Sequence, residues 1–259
     1  MITSTVQRWR AGRAHYRPAG ETINTRHYEV ASIAGDNEAK EFVIEHHYSA
    51  SFPAARFRFG LYRGQILVGV AVFSQPLGDL VTAPLRCGPL ESVELGRFVL
   101  VDDVPANGES WFVARAFELL RKEGIAGVVS FADPIARTDV EGNRVFPGHI
   151  GTIYQATNAV YAGRSTPRTL RLLPNGTVFS ARAAQKIRKQ ERGWRYAAAQ
   201  LVAAGAPEPS GDPLAWLREW TPRVTRTLRH PGNHRYLFGL TTSAKKRLSV
   251  SQAYPKVAA

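Results

Sequence analysis

A carboxylate, a phenol, a pair of imidazoles and a guanidinium stand in this chain where they could do chemistry. Asp133 closes the apolar run IAGVVSFADP (125–134), which has the composition of a buried strand. A carboxylate at the carboxyl end of such a strand stands where α/β sheets place their ligands. There it handles a proton or a metal ion, or it only shapes the turn before Pro134. Tyr154 lies in GHIGTIYQATNAVYAG (148–163), a segment of helical length. Helical spacing sets Ile153, Ala156 and Val160 on one side and Tyr154, Asn158 and Tyr161 on another. Packing alone does not call for a second, polar stripe, so Tyr154 and Asn158 are predicted to face a site. The alternative is a tyrosine whose hydroxyl satisfies a backbone carbonyl. His46, His47 and Tyr48 are consecutive. Neighbours on a helix point about 100° apart, so if His46 joins the apolar stripe, His47 and Tyr48 look elsewhere. His47 would then serve as a base or, with Asp133, as a metal ligand, a donor pair that suits iron; otherwise it is a surface histidine near a helix end. Arg97, inside ELGRFVL, needs a phosphate, a carboxylate such as Asp133, or solvent, because burying it unpaired is costly. Phe98 and Val99 beside it offer backbone groups to an extended ligand, and Ser130 precedes Asp133 on a strand that would face the same cleft.

The elements that must hold these groups follow from pattern. TRHYEVASI (25–33) reads as a strand and GDNEAKEFVIEHHYS (35–49) as a helix. Asp36 is its predicted N-cap, Ala39, Phe42, Val43 and His46 its inward stripe, and Pro53 its stop. RFRFGLYRGQILVGVAVFS (56–74) alternates into and out of Arg63-Gly64 as a hairpin does. ESVELGRFVLV (91–101) is a third strong strand, ESWFVARAFELLRKEG (109–124) an amphipathic helix closed by Gly124, and 148–163 the helix after the next strand. Residues 180–206 read as helix with a break near Gly193, and 207–213 as a linker. Asp212-Pro213 starts another helix. A turn and strand (230–240) and a short basic helix (242–248) follow. The stretch VDDVPANGES (101–110) joins strand to helix, an arrangement whose free N–H groups attract phosphate, with Asn107, Gly108 and Ser110 lining it. An ordinary turn has the same form.

Charge narrows the partners. The net charge is +13, yet residues 1–163 hold 16 Lys/Arg against 17 Asp/Glu, while 164–259 hold 18 against 4. Such asymmetry predicts a polyanion, most simply nucleic acid. Arg182, Lys186 and Lys189 share one helical face, and Arg188, Arg192 and Arg195 a neighbouring one; Lys245, Lys246 and Arg247 make a second patch. Trp194 and Tyr196 are interleaved and could stack on bases or pack. Cys87 is the only cysteine, which removes disulfide frameworks and cysteine zinc sites. No apolar run approaches the roughly 20 residues a membrane span needs, and MITSTVQRWRAGRAHYRPAG lacks the apolar core of a secretory signal.

The element order, with the loop after the third strong strand, resembles the GNAT N-acyltransferase fold. Its pyrophosphate loop reads Arg/Gln-x-x-Gly-x-Gly/Ala, whereas here the run is Pro105-x-x-Gly108-x-Ser110. The blocks EFVIEHHYS, ELGRFVL, FADP, GHIGTIYQATNAVYAG and HPGNHRYLFGL…YPK then look like the Mom family of phage DNA-modification proteins, over roughly residues 41–256. That resemblance implies an α/β (α+β) fold with a GNAT-like mixed central sheet flanked by helices. It implies a transferase that converts adenine in double-stranded DNA to N6-methylcarbamoyl (acetamido) adenine, protecting phage DNA from restriction in the cytoplasm of the bacterial host. It also implies an acyl-CoA or related donor, an association with iron, catalytic roles for Asp133, Tyr154, His47, Tyr48, Asn158 and Ser130, and donor contacts at Arg97, Phe98, Val99, Asn107, Gly108 and Ser110. In many GNAT enzymes the tyrosine at the place of Tyr154 protonates the departing thiolate. The expected division is a flexible arm (1–24), a catalytic core (25–165) and a basic DNA-binding extension that completes the fold (166–259). A GNAT acetyltransferase acting on tRNA, a nucleotide or a protein, and a non-catalytic DNA-binding protein, are the competing readings.

Overall fold

The computed structural model describes residues 5–10, 13–76, 78–248 and 252–256. In chain order, β1 (Thr5–Arg10) and β2 (Arg13–Pro18) form an antiparallel hairpin. Then come β3 (Tyr28–Ser32), α1 (Asp36–His46), β4 (Ala55–Arg63), β5 (Ile66–Ser74), the single turn α2 (Asp79–Thr82) and β6 (Ser92–Leu100). These are followed by α3 (Gly108–Lys122), β7 (Gly127–Ala132), the ribbon β8 (Arg137–Thr138) and β9 (Arg144–Phe146), α4 (Thr152–Ala156) and β10 (Val160–Arg164). The last part holds β11 (Arg168–Leu172), β12 (Val178–Phe179), α5 (Ala181–Lys189), α6 (Trp194–Val202), α7 (Pro213–Val224), β13 (Arg226–His230), β14 (His234–Gly239) and α8 (Thr242–Arg247).

The chain makes two compact units. The first comprises Met1–Pro134, His149–Arg164 and Asn233–Ala259; the second Ile135–Gly148 and Ser165–Gly232. The first is built on a 7-stranded sheet in the order β10-β14-β7-β6-β5-β4-β3, flanked by helices. It is the mixed α/β sheet the element order predicts. β6 and β7 run parallel, and the other neighbouring pairs antiparallel. Phe59, Phe73, Phe112, Leu120 and Tyr236 are among the side chains fully buried in its core. The second unit has its own core, with Leu173, Phe179, Ile187, Leu201, Trp216 and Leu217 packed under α5, α6 and α7, and a 3-stranded sheet ordered β12-β11-β13. Complete burial of Ile187 and Leu201 contributes about 1.5–3 kcal/mol each.

Several expectations are corrected. The arm expected at 1–24 contains the paired strands β1 and β2, which no apolar alternation announced; Arg8 is buried there, and residues 1–4 and 11–12 lie outside the described residues. The boundary expected at 165/166 is replaced by a division in which β14 returns to the main sheet between β7 and β10. The helix expected over 148–163 is only α4. Asn158 turns left-handed at φ 60, which a short polar side chain tolerates, and Val160 and Tyr161 then pair with Leu237 and Tyr236 of β14. The stripe of Tyr154, Asn158 and Tyr161 therefore does not form. α1 ends at His46, seven residues before Pro53, and its N-cap is Gly35 rather than Asp36. The expectation for α7 holds: Asp212 caps it by accepting from Ala215 N, with Pro213 in the first turn.

Candidate functional site

β6 and β7 are joined as parallel neighbours only from Ser92–Gly127 to Leu95–Ser130. At Gly96 the pairing of β6 with β5 also shifts register. Beyond this bulge the two strands part, and a cavity of about 310 Å³ opens in the first unit. Phe98, Val99 and Leu100 of β6 line one side, Phe131 of β7 and Tyr154 of α4 another, and His47 and Tyr48 the end of α1.

Tyr154 is held from several directions. Gly151 opens α4 at φ 76; a Cβ there would lie 2.7 Å from Tyr236 and 2.8 Å from Tyr154 itself. That close approach lets the Tyr154 ring lie 5.3 Å from Tyr236 and 6.3 Å from Phe238, both on β14. Burial raises the phenol above its ordinary range, a hydrogen bond with Ser130 opposes this, and the Glu94 carboxylate raises it further. Tyr154 is thus a protonated phenol at neutral pH. Ser130 is fully buried and donates to Leu95 O at 3.1 Å, tying the last rung between β6 and β7.

His47 is buried on the cavity wall as the C-cap of α1. Its Nδ1 accepts from Ser49 N at 3.1 Å, which leaves the ring proton on Nε2. Burial holds the imidazole well below its ordinary range, with Arg97 and His149 acting in the same direction. His47 is therefore neutral and a hydrogen-bond donor through Nε2. Tyr48 stacks beside it at 4.2 Å and lies 6.3 Å from the His149 ring.

Of the residues expected at the site, the cavity brings together Tyr154, His47, Tyr48, Phe98, Val99, Asn107 and Ser110. Asp133 is not among its lining residues; it is half-buried past the end of β7, and its backbone carbonyl accepts from His149 N at 2.8 Å. Asn158 is an exposed turn residue, so its expected place on the site is withdrawn. Arg97 does not line the cavity either. Its guanidinium donates to Ser51 O and Ser51 Oγ, both at 2.8 Å, and to Gly96 O at 2.6 Å. It braces the segment after α1 that carries His47 and Tyr48. Gly108 packs on Val104, where a Cβ would be only 2.6 Å from Cγ1. Among the described residues no group of three or more His, Cys, Asp or Glu side chains is placed to hold a metal ion.

In the second unit, Arg182, Lys186 and Lys189 all lie on α5. Arg188, Arg192 and Arg195 do not share a helix, because Gln190 and Gly193 turn left-handed between α5 and α6. Arg182 is paired with Glu191 at 2.6 Å, and Arg195 lies over the Trp194 ring at 5.3 Å. A groove of about 630 Å³ runs between α5 and α7, lined by Arg171, Arg188 and Arg218. Lys245, Lys246 and Arg247 belong to the first unit, on α8, where Arg247 donates to Arg86 O at 2.6 Å.

The Mom protein family profile matches residues 27–256. The chain belongs to the Mom protein family. The Mom span takes in the cavity residues from His47 to Tyr154 and the whole second unit, and it leaves out the hairpin β1–β2. No curated protein matches. Among solved structures, a Bacillus subtilis acetyltransferase in complex with CoA is similar at 10% identity, covering 83% of this chain and 99% of its own, with a TM-score of 0.35. No helix among the described residues is long and apolar enough to cross a membrane.

Sequence reasoning missed Gln7, Arg8, Glu94, Ser49, Arg171 and Arg218. Glu94 carried a signal, an acidic residue amid the apolar β6; its carboxyl is raised by burial and opposed by Arg97. Gln7 and Arg8 carried none, for nothing local says that an arginine in a polar, basic strand will be buried.

Proposed function

We propose that this Mom-family chain is a DNA-modifying transferase that places a methylcarbamoyl group on the N6 amino group of adenine. The observation that carries the reading is the family match over residues 27–256, which spans a cavity walled by a protonated phenol and a neutral imidazole.

The adenine amino group is a poor nucleophile, since its lone pair is delocalised into the ring. It must be held against an electrophilic methylene carbon, with the leaving group stabilised. Attack forms the N6–C bond and breaks the bond from that carbon to the leaving group; the N6 proton departs to a base. Tyr154 supplies a proton to the leaving group; burial, with a smaller push from Glu94, raises its pKa. The Nε2–H of His47 orients the acceptor atom of one substrate. Asp133 does not line the cavity but follows its lining residue Phe131 by two positions, at the exit of β7, and is assigned the N6 proton in this reading. The target base must leave the duplex to reach such a cavity. The groove of Arg171, Arg188 and Arg218, with the α5 face of Lys186 and Lys189, holds the phosphodiester backbone. Arg192 and Arg195, and Lys245, Lys246 and Arg247 on α8, add contacts of the same kind.

Nucleoside mass spectrometry of plasmid DNA co-expressed with the protein tests the reading. A new adenosine species that vanishes in Tyr154→Phe is the expected result. Unmodified DNA from a well-folded, expressed protein overturns it.

A further inference from the structure

The large aromatic side chains of the second unit differ in what covers them. Trp194, Trp216 and Trp220 pack on its core. Tyr196 does not. It is 79% exposed, more than any other large apolar or aromatic side chain among the described residues. Among those residues it makes no hydrogen bond, ion pair or ring contact. The reason lies in α6. Ala197, Ala198 and Leu201 are its buried residues, and Tyr196 stands about 100° or more from each of them around the axis. A helical side chain leans back over the preceding turn, so the ring lies toward Arg192 and Gly193. Gly193, at φ 83, has no side chain to cover it. The following turn offers only the methyl group of exposed Ala199.

Cations gather at this place. Arg192 and Arg195 are exposed. Lys186 reaches across from α5, its Nζ 3.9 Å from where a Cβ on Gly193 would lie. Neither Arg192 nor Lys186 has an ion pair among the described residues. Arg195 lies over the half-buried Trp194 ring at 5.3 Å, which holds its guanidinium at the surface. The nearby acid is neutralised: Glu191 pairs with Arg182 at 2.6 Å and accepts from Gln185 Nε2 at 3.4 Å. Val140, also strongly exposed in this unit at 68%, stands between Asp139 and Glu141. A phosphate is repelled there and attracted beside Tyr196.

A bare aromatic ring among unpaired cations is how proteins hold single-stranded nucleic acid. The cations meet the backbone, and the ring takes the face of a base. Inside a duplex those faces are stacked on their neighbours, so the ring finds one only where the DNA is open. An acidic protein would meet the cations and leave the ring bare.

We infer that Tyr196 stacks on an unpaired base, so that the second unit recognises locally opened DNA and not intact duplex alone. The inference rests on the DNA-modifying reading and specifies the state of its substrate, since an adenine reaches an enzyme cavity only by leaving the helix.

Two measurements on the full chain test it. Affinity for fluorescently labelled single-stranded DNA, read by anisotropy, is expected to fall about 5- to 100-fold in Tyr196→Ala, the range for one lost base–aromatic stack, and to stay within about 2-fold of the parent in Tyr196→Phe, which keeps the ring. On a perfectly paired duplex of the same sequence, Tyr196→Ala is expected to bind within about 2-fold of the parent. Val140→Ala is the matched control and should bind both DNAs as the parent does. Melting temperatures should not move, because both side chains are exposed. Parental affinity for single strands in folded Tyr196→Ala overturns the inference. So does an equal loss on single strand and duplex, or a parent with no affinity for single strands. Displacement of the strand by polyglutamate as readily as by unlabelled DNA assigns the surface to an acidic protein and also overturns it. In the second measurement, single-stranded DNA carrying 5-iododeoxyuridine is irradiated on the protein, and the adduct is expected on Tyr196 by peptide mass spectrometry; adducts confined to other residues overturn the assignment. Nucleosides from co-expressed plasmid are read separately. A parent that yields no new adenosine sinks the transferase reading, and the affinities still decide the stacking. Modified adenosine together with parental single-strand binding in Tyr196→Ala sinks the stacking alone.

Discussion

Arg8 and Arg188 carry the same charge into opposite circumstances. Arg8 is buried in the first unit, and its donors all end on Glu109 and the carbonyls of residues 101–105. Arg188 is exposed in the second unit, on a groove shared with Arg171 and Arg218, and none of these three has an ion pair among the described residues. Arg58 with Asp36, Arg63 with Asp103 and Arg97 with Ser51 follow the first pattern. The second unit holds a net charge of +8 in 82 residues, against +5 in the 177 of the first. Arginine thus braces the cavity of the first unit where its donors are consumed internally, and it is proposed to meet phosphate in the groove of the second, where they are left to an outside partner.

The sharpest way to break this contrast is at the cavity. Tyr154→Phe should lower the modification rate by about 10²–10⁴-fold while leaving DNA affinity unchanged, the range for a lost proton donor. A variant that loses DNA binding instead would merge the two functions proposed for the units. Asp133→Ala tests the proposed proton acceptor by the same pair of measurements.

Next in size is stability. Arg8→Ala strands Glu109 in a buried place and should lower the unfolding free energy by about 3–5 kcal/mol in a urea melt. Arg188→Ala should shift it by no more than about 0.5 kcal/mol, because an exposed, unpaired cation holds nothing together. Equal losses would mean that the groove arginines are structural.

The groove itself is read by salt. Replacing Arg171, Arg188 and Arg218 with alanine should flatten the slope of log K against log salt for duplex DNA by about 0.9 per lost phosphate contact, with melting behaviour intact. Arg182→Ala, whose partner is Glu191, should move that slope less.

The smallest expected effect is a pH dependence confined to the first unit. Burial depresses His47, so the unfolded chain binds a proton near pH 6.5 that the folded chain does not. Stability therefore falls as pH drops below about 6.5 and is flat in this respect above it. His234, also depressed by burial, acts with the same sign. Between pH 7 and 5.5 the melting temperature of His47→Gln should fall less than that of the parent.

Much of the framework was legible. The alternation around Arg63-Gly64, the run IAGVVSFADP and the cap Asp212-Pro213 each specify an element through residues close in sequence. Tyr154, His47 and Tyr48, which line the cavity, stood out in the sequence because unusual side chains break an apolar pattern. Asn158 misled for the same reason, since a polar residue at helical spacing looks alike on a helix and in a turn. Whether 148–163 continued as a helix depended on β14, some eighty residues further on, offering Val160 and Tyr161 a ladder.

By itself, then, the sequence determined the kinds of element, the concentration of positive charge in the last third and the blocks that mark the family. Those follow from local propensity and composition. Only the tertiary structure decided that β14 braces Tyr154, that Arg8 is buried against Glu109 and the carbonyls of residues 101–105, and that the basic residues divide between two units. Each of these depends on contacts between distant segments, whose free energy comes from burial and from pairing polar groups that no short window of sequence contains.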